Sequence, residues 1–339
     1  MKVSVIGAGS WGTAIANMLS EKYDVFLWSR REEIAEEINV FHTNYTYLPK
    51  ITLHHALKAS PVLDEVVSYG DYIVIAIPSR WFRNVVSRIS LKGSESFLIL
   101  TKGLENKTFM RPDEILIQTL KIDSSKIAVL SGPTHAENVI LKYPTAAIVA
   151  SQNRELSVKF RDKFNTSFFR LYTSEDIKGV ELGGALKNIY AAAAGMVDGL
   201  GYGDNAKAAL LTRAIPEMIR IGVNFGAKPR TFVGLSGIGD LMATAYSKHS
   251  RNRYLGEIIA KTGKNAKEVV SSMKMVAESY YSSESFYNFS RKNNLYTPIL
   301  DLVYSIFYES ENFEDIQHLL LSKPLKSEYE GDEFWLKNF

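Results

Sequence analysis

The chain has 339 residues, of which 46% are hydrophobic and 23% are charged, a composition typical of a globular protein. That length exceeds what one ordinary hydrophobic core supports, so we expect two domains. The formal net charge of +3 gives no bulk electrostatic case for binding nucleic acid or an anionic membrane, which favours a small-molecule partner. The absence of cysteine excludes disulfides, thiolate metal sites and cysteine nucleophiles, and it fits a reducing compartment.

The sequence carries no sign of secretion or of a membrane span. The first apolar run, residues 3–6, ends at Gly7 and is far too short for the hydrophobic region of a signal peptide. No stretch approaches the roughly 18 consecutive apolar residues that a membrane-spanning helix needs. We therefore expect a cytoplasmic protein.

In the first half of the chain, short apolar runs alternate with segments of helical periodicity. Five of these runs are predicted strands, at residues 3–6, 24–28, 72–77, 97–101 and 127–131. The alternation predicts βαβ crossover units, and hence an α/β Rossmann-type domain with a parallel sheet. Two further runs, at 146–150 and 168–172, flank a helical segment that begins near Glu155, and we expect them to extend the sheet with partly mixed direction.

Beyond about Ile177 the β-rich runs disappear and the periodicity becomes helical. Helices are predicted at residues 180–197, 206–225, 251–261, 284–292, 299–309 and 316–321. A charged tail follows from Lys326. These patterns predict an α/β domain at 1–177 and an all-helical domain at 178–339.

A glycine-rich turn, GAGSWG at residues 7–12, follows the first predicted strand and opens a predicted helix. A G-x-G-x-x-G turn in a βαβ unit is typical of a dinucleotide-binding site. Gly7 permits the tight turn, Gly9 lets a pyrophosphate approach the backbone, and Gly12 lets the helix pack closely on the strand. The helix N-terminus adds N–H groups and a positive dipole end. A glycine turn without a ligand is the alternative.

The residues after the second predicted strand bear on the choice between NAD and NADP. An enzyme specific for NAD usually has an acidic residue there to bind the ribose hydroxyls, whereas here Trp28 is followed by Ser29, Arg30 and Arg31. Two guanidinium groups near the expected position of a 2′-phosphate predict that the site accepts NADP as well as NAD. Solvated cations at a helix start are the alternative.

Ligands of open parallel sheets lie beyond the carboxyl ends of the strands. Lys102 follows the fourth of the five predicted strands and precedes a glycine, and we interpret it as a contact to an anionic substrate. Gly132 follows the fifth. Thr134 and Glu137 form a T-x-x-E pattern, which predicts a capping box at the start of a helix.

Lys187 lies in a predicted helix that also contains Gly183 and Gly184. Each glycine in a helix interior costs about 1 kcal/mol relative to alanine, so their presence beside a lysine indicates a close approach there. We interpret this approach as that of a substrate, with helix packing against the first domain as the alternative. Asp240 follows a glycine turn and is either an N-cap or a carboxylate that orients the Lys187 ammonium.

Ser250 is a predicted N-cap, and Arg251, Asn252 and Arg253 follow it in the first turn of a helix. The helix dipole makes cations unfavourable there unless an anion also binds, so we predict a phosphate or pyrophosphate site. Solvated charge is the alternative. The six histidines form no metal-binding motif and no G-x-S-x-G element is present, so we expect neither a metal site nor serine hydrolase chemistry.

Seven segments together resemble the bacterial-type NAD(P)-dependent glycerol-3-phosphate dehydrogenase family. They read GAGSWGTAIA from Gly7, NYTYLP from Asn44, TKGLE from Thr101, SGPTHAEN from Ser131, GVELGGALKNIYAAAAGMVDGLG from Gly179, GIGDLMAT from Gly237 and SRNRYLGE from Ser250. They follow the family order and spacing from residue 1 to about 325. Two departures stand out: residues 275–279 read MVAES where the family usually has V-V-E-G, and Thr46 stands where a basic residue is common.

The resemblance implies hydride transfer between NAD(P)H and dihydroxyacetone phosphate, which yields sn-glycerol 3-phosphate for glycerophospholipid synthesis. It implies that Lys187 is the general acid/base on the C2 oxygen, that Lys102 polarises this oxygen, and that Asp240 assists. The implied substrate contacts are Lys102, Gly132, Thr134, Lys187, Asp240, Ser250, Arg251 and Asn252. The implied cofactor contacts are Gly7, Gly9, Ser10, Trp11, Gly12, Arg30, Arg31, Lys102, Ala136, Arg251, Val276 and Glu278.

On this interpretation residues 1–177 form the dinucleotide-binding domain and residues 178–339 the substrate and catalytic domain, and the resemblance implies a homodimer. Two other hypotheses stay open at this point. One is a dehydrogenase of a 3-hydroxy acid with the same two-domain architecture, against which Lys102 and Arg251 argue. The other is a catalytically silent dinucleotide-sensing protein, against which the set of Lys102, Lys187 and Asp240 argues.

Overall fold

The computed structural model of the chain describes residues 1–273 and 275–309. The predicted helix at 316–321 and the charged tail from Lys326 lie outside the described residues. None of the helices in the described part of the chain is both long enough and apolar enough to cross a membrane.

The chain forms two compact units. The first comprises Met1–Thr101 with Pro112–Ile177, and the second comprises Lys102–Arg111 with the described residues from Lys178 onward. The segment Lys102–Arg111 was expected in the first domain, whereas in the structure it belongs to the second unit. That the units are independently folding domains stays a prediction.

The first unit contains an eight-stranded sheet. Its strands are β1 (Lys2–Ile6), β2 (Asp24–Trp28), β3 (Lys58–Ser60), β4 (Tyr72–Ile75), β5 (Ser96–Ile99), β6 (Ile127–Ser131), β7 (Thr145–Ala150) and β8 (Phe169–Ser174). They lie in the order β3-β2-β1-β4-β5-β6-β7-β8. Neighbouring strands are parallel except β6 and β7, which are antiparallel.

The helices of the first unit are α1 (Ser10–Ser20), α2 (Glu32–Phe41), α3 (Leu63–Tyr69), α4 (Phe82–Val86), α5 (Pro112–Leu120), α6 (Ala136–Ile140) and α7 (Arg154–Phe164), with 3₁₀ turns at Ser79–Trp81 and Ser124–Lys126. The predicted Rossmann-type sheet of partly mixed direction is confirmed. The prediction missed β3, an edge strand whose sequence Lys58-Ala59-Ser60 contains no apolar run.

The described part of the second unit is helical, as predicted. Its helices are α8 (Ile177–Leu200), α9 (Gly203–Asn224), α10 (Pro229–Phe232), α11 (Asp240–Tyr246), α12 (Arg251–Thr262), α13 (Ala266–Ser272), α14 (Glu278–Lys292) and α15 (Pro298–Tyr304), with π-helical turns at Leu235–Gly239 and Ser305–Glu309.

Glycines let α12 pack directly on the backbone of α8. A Cβ atom on Gly195 of α8 would lie 1.9 Å from the carbonyl oxygen of Arg253, and a Cβ on Gly256 of α12 would lie 2.0 Å from that of Ala192. Neither helix tolerates a side chain at this crossing. The contact therefore fixes the start of α12 with respect to α8.

Candidate active site

The glycine turn of the first unit has the geometry that a dinucleotide requires. Gly7 has a φ of +116°, which favours glycine, and a Cβ on Gly12 would lie 1.8 Å from the carbonyl oxygen of Gly7. A Cβ on Gly9, in contrast, would meet no protein atom within 4 Å. Gly9 precedes α1, whose N-terminus has no side-chain cap. The open space at Gly9 thus fits phosphates that approach the helix N-terminus.

Two side chains hold this turn in place. The Asn44 amide donates to the carbonyl oxygen of Ala8 at 3.0 Å and to the Thr13 hydroxyl at 2.9 Å. The Ser10 hydroxyl donates to the carbonyl oxygen of Tyr47 at 3.1 Å. The sequence singles out Asn44 only as part of the segment NYTYLP, and it gives no sign of the contact to the turn, because the two are distant in the chain.

Donors that fit a ligand lie near the ends of β1 and β2. The indole nitrogen of Trp11 is buried and has no hydrogen-bond partner among the described residues. The same holds for Nη2 of Arg31, whose guanidinium lies 5.3 Å from the centre of the Tyr47 ring and 3.6 Å from Glu33. Arg30 is exposed. These groups fit the phosphate and ribose oxygens of a dinucleotide.

The loop after β6 places Gly132 at a φ of +136°, and the Thr134 hydroxyl donates to the carbonyl oxygen of Gly132 at 3.1 Å. The predicted capping box is wrong. The helix α6 begins at Ala136, so the N-cap is His135 rather than Thr134, and the side chain of His135 does not cap the helix. The T-x-x-E pattern placed the helix start one residue too early, so Glu137 is not at the third helical position.

In the second unit, one carboxylate binds both predicted catalytic lysines. Asp240 accepts from Nζ of Lys187 through Oδ1 at 2.7 Å and from Nζ of Lys102 through Oδ2 at 2.6 Å. Nζ of Lys187 also lies 2.6 Å from the hydroxyl oxygen of Thr244. The Lys187 side chain is 8% exposed, that of Asp240 2% and that of Lys102 19%. The structure thus brings the three predicted catalytic residues together.

The glycine of α8 explains how Asp240 reaches Lys187. A Cβ on Gly183 would lie 2.7 Å from the carbonyl oxygen of Ser236, so the π-helical turn that precedes α11 packs on the α8 backbone. The close approach predicted at Gly183 is therefore made by a neighbouring turn of the same unit. The approach of a substrate to the helix face beside Gly184 stays a prediction. Asp240 is the first residue of α11 and its carboxylate binds lysines, so it is no N-cap.

The electrostatic surroundings of Lys187 bring its pKa into the range of general acid/base catalysis. Burial is the largest influence, and together with the charges of Lys102 and Arg251 it outweighs the attraction of Asp240, so the pKa of Lys187 falls from 10.5 to about 8. Burial alone would raise the pKa of Asp240, but the charges of Lys102 and Lys187 hold it below its ordinary value. The carboxylate therefore stays ionised while Lys187 exchanges its proton near neutral pH.

The predicted anion site lies at the start of α12. The Ser250 hydroxyl oxygen accepts from the N–H of Arg253 at 3.1 Å, which confirms the N-cap. The Arg253 guanidinium binds Asp198 at 2.6 Å and Glu257 at 3.1 Å, so protein carboxylates neutralise it. Arg251 is exposed and forms no hydrogen bond or ion pair within the described ranges. Of the two arginines, Arg251 is therefore the one placed to receive an anion.

Asn252 connects three helices of the second unit. Its amide donates to Oδ1 of Asn188, the neighbour of Lys187, at 2.8 Å, and its Oδ1 accepts from the N–H of Ser279 at 2.9 Å. The bond to Asn188 uses one of the two N–H groups of the Asn252 amide, and the substrate contact assigned to Asn252 stays a prediction.

The departure from the family motif lies at the start of α14. Val276 precedes the helix, which begins at Glu278, and both side chains are half-buried. Ala277 and Ser279 are buried, and the Ser279 hydroxyl has no hydrogen-bond partner in the described structure. The cofactor contacts assigned to Val276 and Glu278 stay predictions.

Thr244 and Asn188 were not assigned a role from the sequence. Thr244 follows Asp240 by four residues on one helix, and this spacing places both on the same face, so the pattern did contain a signal. Asn188 gave none. Among residues 1–273 and 275–309, no group of three or more histidine, aspartate or glutamate side chains is placed to hold a metal ion.

Comparison with known proteins agrees with the resemblance. The model of the N-terminus of NAD-dependent glycerol-3-phosphate dehydrogenase matches residues 2–157, and the model of its C-terminus matches residues 176–318. The glycerol-3-phosphate dehydrogenase [NAD(P)+] of Macrococcus caseolyticus is 44% identical over 91% of this chain and 94% of the relative. That of Staphylococcus carnosus is 41% identical over 96% of this chain and 99% of the relative.

A crystal structure of glycerol-3-phosphate dehydrogenase from Coxiella burnetii matches with a TM-score of 0.89 at 34% identity, covering 94% of this chain and 98% of that one. The family models, the sequence relatives and the structural match agree on both halves of the chain. The chain belongs to the NAD-dependent glycerol-3-phosphate dehydrogenase family.

Proposed function

We propose that this chain interconverts dihydroxyacetone phosphate and sn-glycerol 3-phosphate, with NADH or NADPH as the hydride donor. Family membership supports an NAD(P)-dependent oxidoreductase that acts on a CH–OH group. The observation that carries the assignment of roles is the buried Asp240 carboxylate that holds the ammonium groups of Lys102 and Lys187. Lys187, a proton donor of suitable pKa, and Lys102, a second cation, bind the same carboxylate, an arrangement that suits the reduction of a ketone.

Lys187 is the general acid/base in this proposal. The bound dinucleotide supplies or accepts the hydride at C2 of the substrate. In the reducing direction the Lys187 ammonium gives a proton to the C2 oxygen, and in the oxidising direction the neutral amine takes it back. Asp240 and Thr244 orient Nζ, each within 2.7 Å of it. Lys102, which is more exposed than Lys187, polarises the same oxygen.

Substrate specificity comes from the phosphate in this proposal. Arg251 is exposed at the N-terminus of α12, where the guanidinium and the helix dipole both favour a phosphate dianion. Its sequence neighbours Ser250 and Asn252 are the other substrate contacts assigned to this helix start. Gly132 and Thr134 are the substrate contacts assigned to the first unit.

The residues of the glycine turn suit the cofactor. Gly7, Gly9, Ser10, Trp11 and Gly12 would hold the pyrophosphate, while Arg30, Arg31, Ala136, Val276 and Glu278 would contact the rest of the dinucleotide. The lack of an acidic residue after β2 leaves room for a 2′-phosphate, which agrees with relatives named for NAD(P)+. A cytoplasmic homodimer that feeds glycerophospholipid synthesis is proposed on the family resemblance alone.

Absorbance of the reduced nicotinamide, followed with dihydroxyacetone phosphate, tests the reaction and Lys187 together. The wild type should turn over with NADH and with NADPH. Lys187→Met should lose about 10²- to 10⁴-fold in kcat, the usual contribution of a general acid. A wild type without turnover contradicts the reaction, and a Lys187→Met variant with near wild-type kcat contradicts the role of Lys187.

The phosphate site is tested by comparing substrates. Arg251→Ala should lower kcat/KM for dihydroxyacetone phosphate by about 10- to 100-fold, the value of a hydrogen bond to a charged group. Its effect on unphosphorylated dihydroxyacetone should be small. Arg230→Ala, at an exposed arginine of α10, is the matched control. Equal losses with both substrates contradict a phosphate contact of Arg251.

A further inference from the structure

Lys102 stands on a part of the chain that has no regular secondary structure. The segment Lys102–Arg111, here called the Lys102 segment, contains neither helix nor strand, whereas Lys187 lies within a long helix. Lys107 and Phe109 adopt left-handed φ values of 74° and 58°, which are unfavourable for residues other than glycine. The position of the Lys102 ammonium therefore depends on the contacts that hold this segment.

The end of the segment is fixed to α8 by a buried ion pair. Nε of Arg111 lies 3.0 Å from Oε2 of Glu181, and the two side chains are only 4% and 2% exposed. The free energy needed to remove the two charges from water cancels most of the attraction between them. Such a pair therefore contributes little to stability compared with apolar side chains of similar volume. In some proteins such a pair instead selects one arrangement of the chain. Glu181 lies on the helix that also carries Lys187.

The middle of the segment is fixed to α14. The Asn106 amide donates to Oε2 of Glu284 at 2.7 Å, and its Oδ1 accepts from the Ser285 hydroxyl. The Phe109 ring packs edge-on against Phe289, with the ring centres 5.8 Å apart. These contacts all lie between Glu284 and Phe289 of α14, so they fix the segment at a second point.

We propose that the Arg111–Glu181 pair and Asn106 are positioning residues, which hold the Lys102 segment so that the Lys102 ammonium stays on Asp240. The contact they maintain is the 2.6 Å hydrogen bond between Nζ of Lys102 and Oδ2 of Asp240. The inference rests on the proposed function. It adds residues that touch neither substrate nor cofactor and act through Lys102.

Displacement of Lys102 has a recognisable signature. The pKa of Lys187 is lowered first by burial and then by the positive charges of Lys102 and Arg251, and Asp240 opposes them. If Lys102 leaves Asp240, the carboxylate acts on Lys187 alone and the pKa of Lys187 rises. The pH profile of kcat/KM should then shift upward, as it should in Lys102→Met. A merely loosened fold would lower activity without this shift.

Three variants test the proposal. Arg111→Met combined with Glu181→Leu removes both charges of the pair, so neither of these two groups is left buried without the other. Its kcat/KM for dihydroxyacetone phosphate should fall about 10- to 100-fold, the loss expected when a reacting group is displaced by about 1 Å. Asn106→Ala changes an exposed residue and should show a smaller loss with the same upward shift. Asn288→Ala, at an exposed position of α14, is the matched control and should behave as the wild type.

The deciding measurement repeats these substitutions in a Lys102→Met background. There they should change kcat/KM by less than about twofold, because the ammonium that they position is gone. If each substitution lowers kcat/KM in the Lys102→Met background by the same factor as in the wild type, the proposal is overturned. It is also overturned if Asn106→Ala has the kinetics and the pH profile of the wild type. If circular dichroism shows that the ion-pair variant does not fold, Asn106→Ala decides alone. A wild type without turnover contradicts the proposed function instead.

Discussion

The two directions of the reaction should depend on pH in opposite ways, because each uses a different form of Lys187. Reduction needs the ammonium, so kcat/KM for dihydroxyacetone phosphate should fall as pH rises through about 8. Oxidation needs the neutral amine, so kcat/KM for sn-glycerol 3-phosphate should rise over the same range. Lys187→Met should abolish both limbs.

The size of the effect follows from the pKa of Lys187. With a pKa of about 8, about 90% of the side chains are protonated at pH 7 and about 10% at pH 9. Reduction should therefore lose about ninefold between these pH values, and oxidation should gain as much. An ordinary lysine with a pKa of 10.5 would be only about 0.3% neutral at pH 8, against half for Lys187.

The assay follows nicotinamide absorbance at subsaturating substrate in both directions between pH 7 and 10, at constant ionic strength. The second ionisation of a phosphate monoester lies near pH 6, so the substrate itself contributes little to these limbs. Lys264→Met, at an exposed lysine, is the control and should keep both limbs.

Three results would refute the reasoning. If reduction stays flat up to pH 10, the pKa of Lys187 is not lowered or its ammonium is not the proton donor. If Lys187→Met keeps residual activity with the same limbs, another group titrates. A common trend in both directions points to a structural titration rather than to acid/base catalysis.

Further predictions concern stability and cofactor binding. Gly9→Ala should keep the thermal stability of the wild type, because its methyl group meets no protein atom, but it should weaken NADH binding in a fluorescence titration. Gly12→Ala should lower both thermal stability and NADH binding, because its methyl group would meet the carbonyl oxygen of Gly7. Burial raises the pKa of Glu217 from 4.5 to about 7, so its contribution to stability is full below pH 4.5 and is lost as pH rises through 7. In urea unfolding, the free energy of unfolding of the wild type should therefore fall by up to about 3 kcal/mol relative to that of Glu217→Gln between pH 4.5 and 8. A difference between the two proteins that does not change with pH would contradict this. Ser250→Ala should lower the free energy of unfolding by about 1 kcal/mol through loss of the N-cap.

Local patterns predicted most of the fold because the strands bury short apolar runs and the helices bury an apolar face. The strand at β1, for example, follows from Val3, Val5 and Ile6, all fully buried. The strand β3 could not be found this way, since it is short and polar and pairs only at the sheet edge. The antiparallel β7 was expected only as mixed direction, because an apolar run does not encode the direction of its strand.

The site was predictable residue by residue but not as an arrangement. Lys102, Lys187 and Asp240 each stood out by their neighbours in sequence, yet nothing local shows that one carboxylate binds both lysines. Arg253 was grouped with Arg251 as a phosphate ligand, although Glu257, four residues later, is at the spacing of a helical ion pair. Pairing within the chain thus decides which cations are left for a ligand.

The shared carboxylate explains why this site has two lysines. If Lys187 alone were bound to Asp240, the attraction would hold its proton and oppose its use as an acid near neutral pH. Because Lys102 binds the other oxygen of Asp240, its charge lowers the pKa of Lys187, in the same direction as burial. Lys102 therefore tunes Lys187 before any substrate is bound. It follows that Lys102→Arg should preserve the pH profile better than Lys102→Met, even where the changed shape lowers kcat.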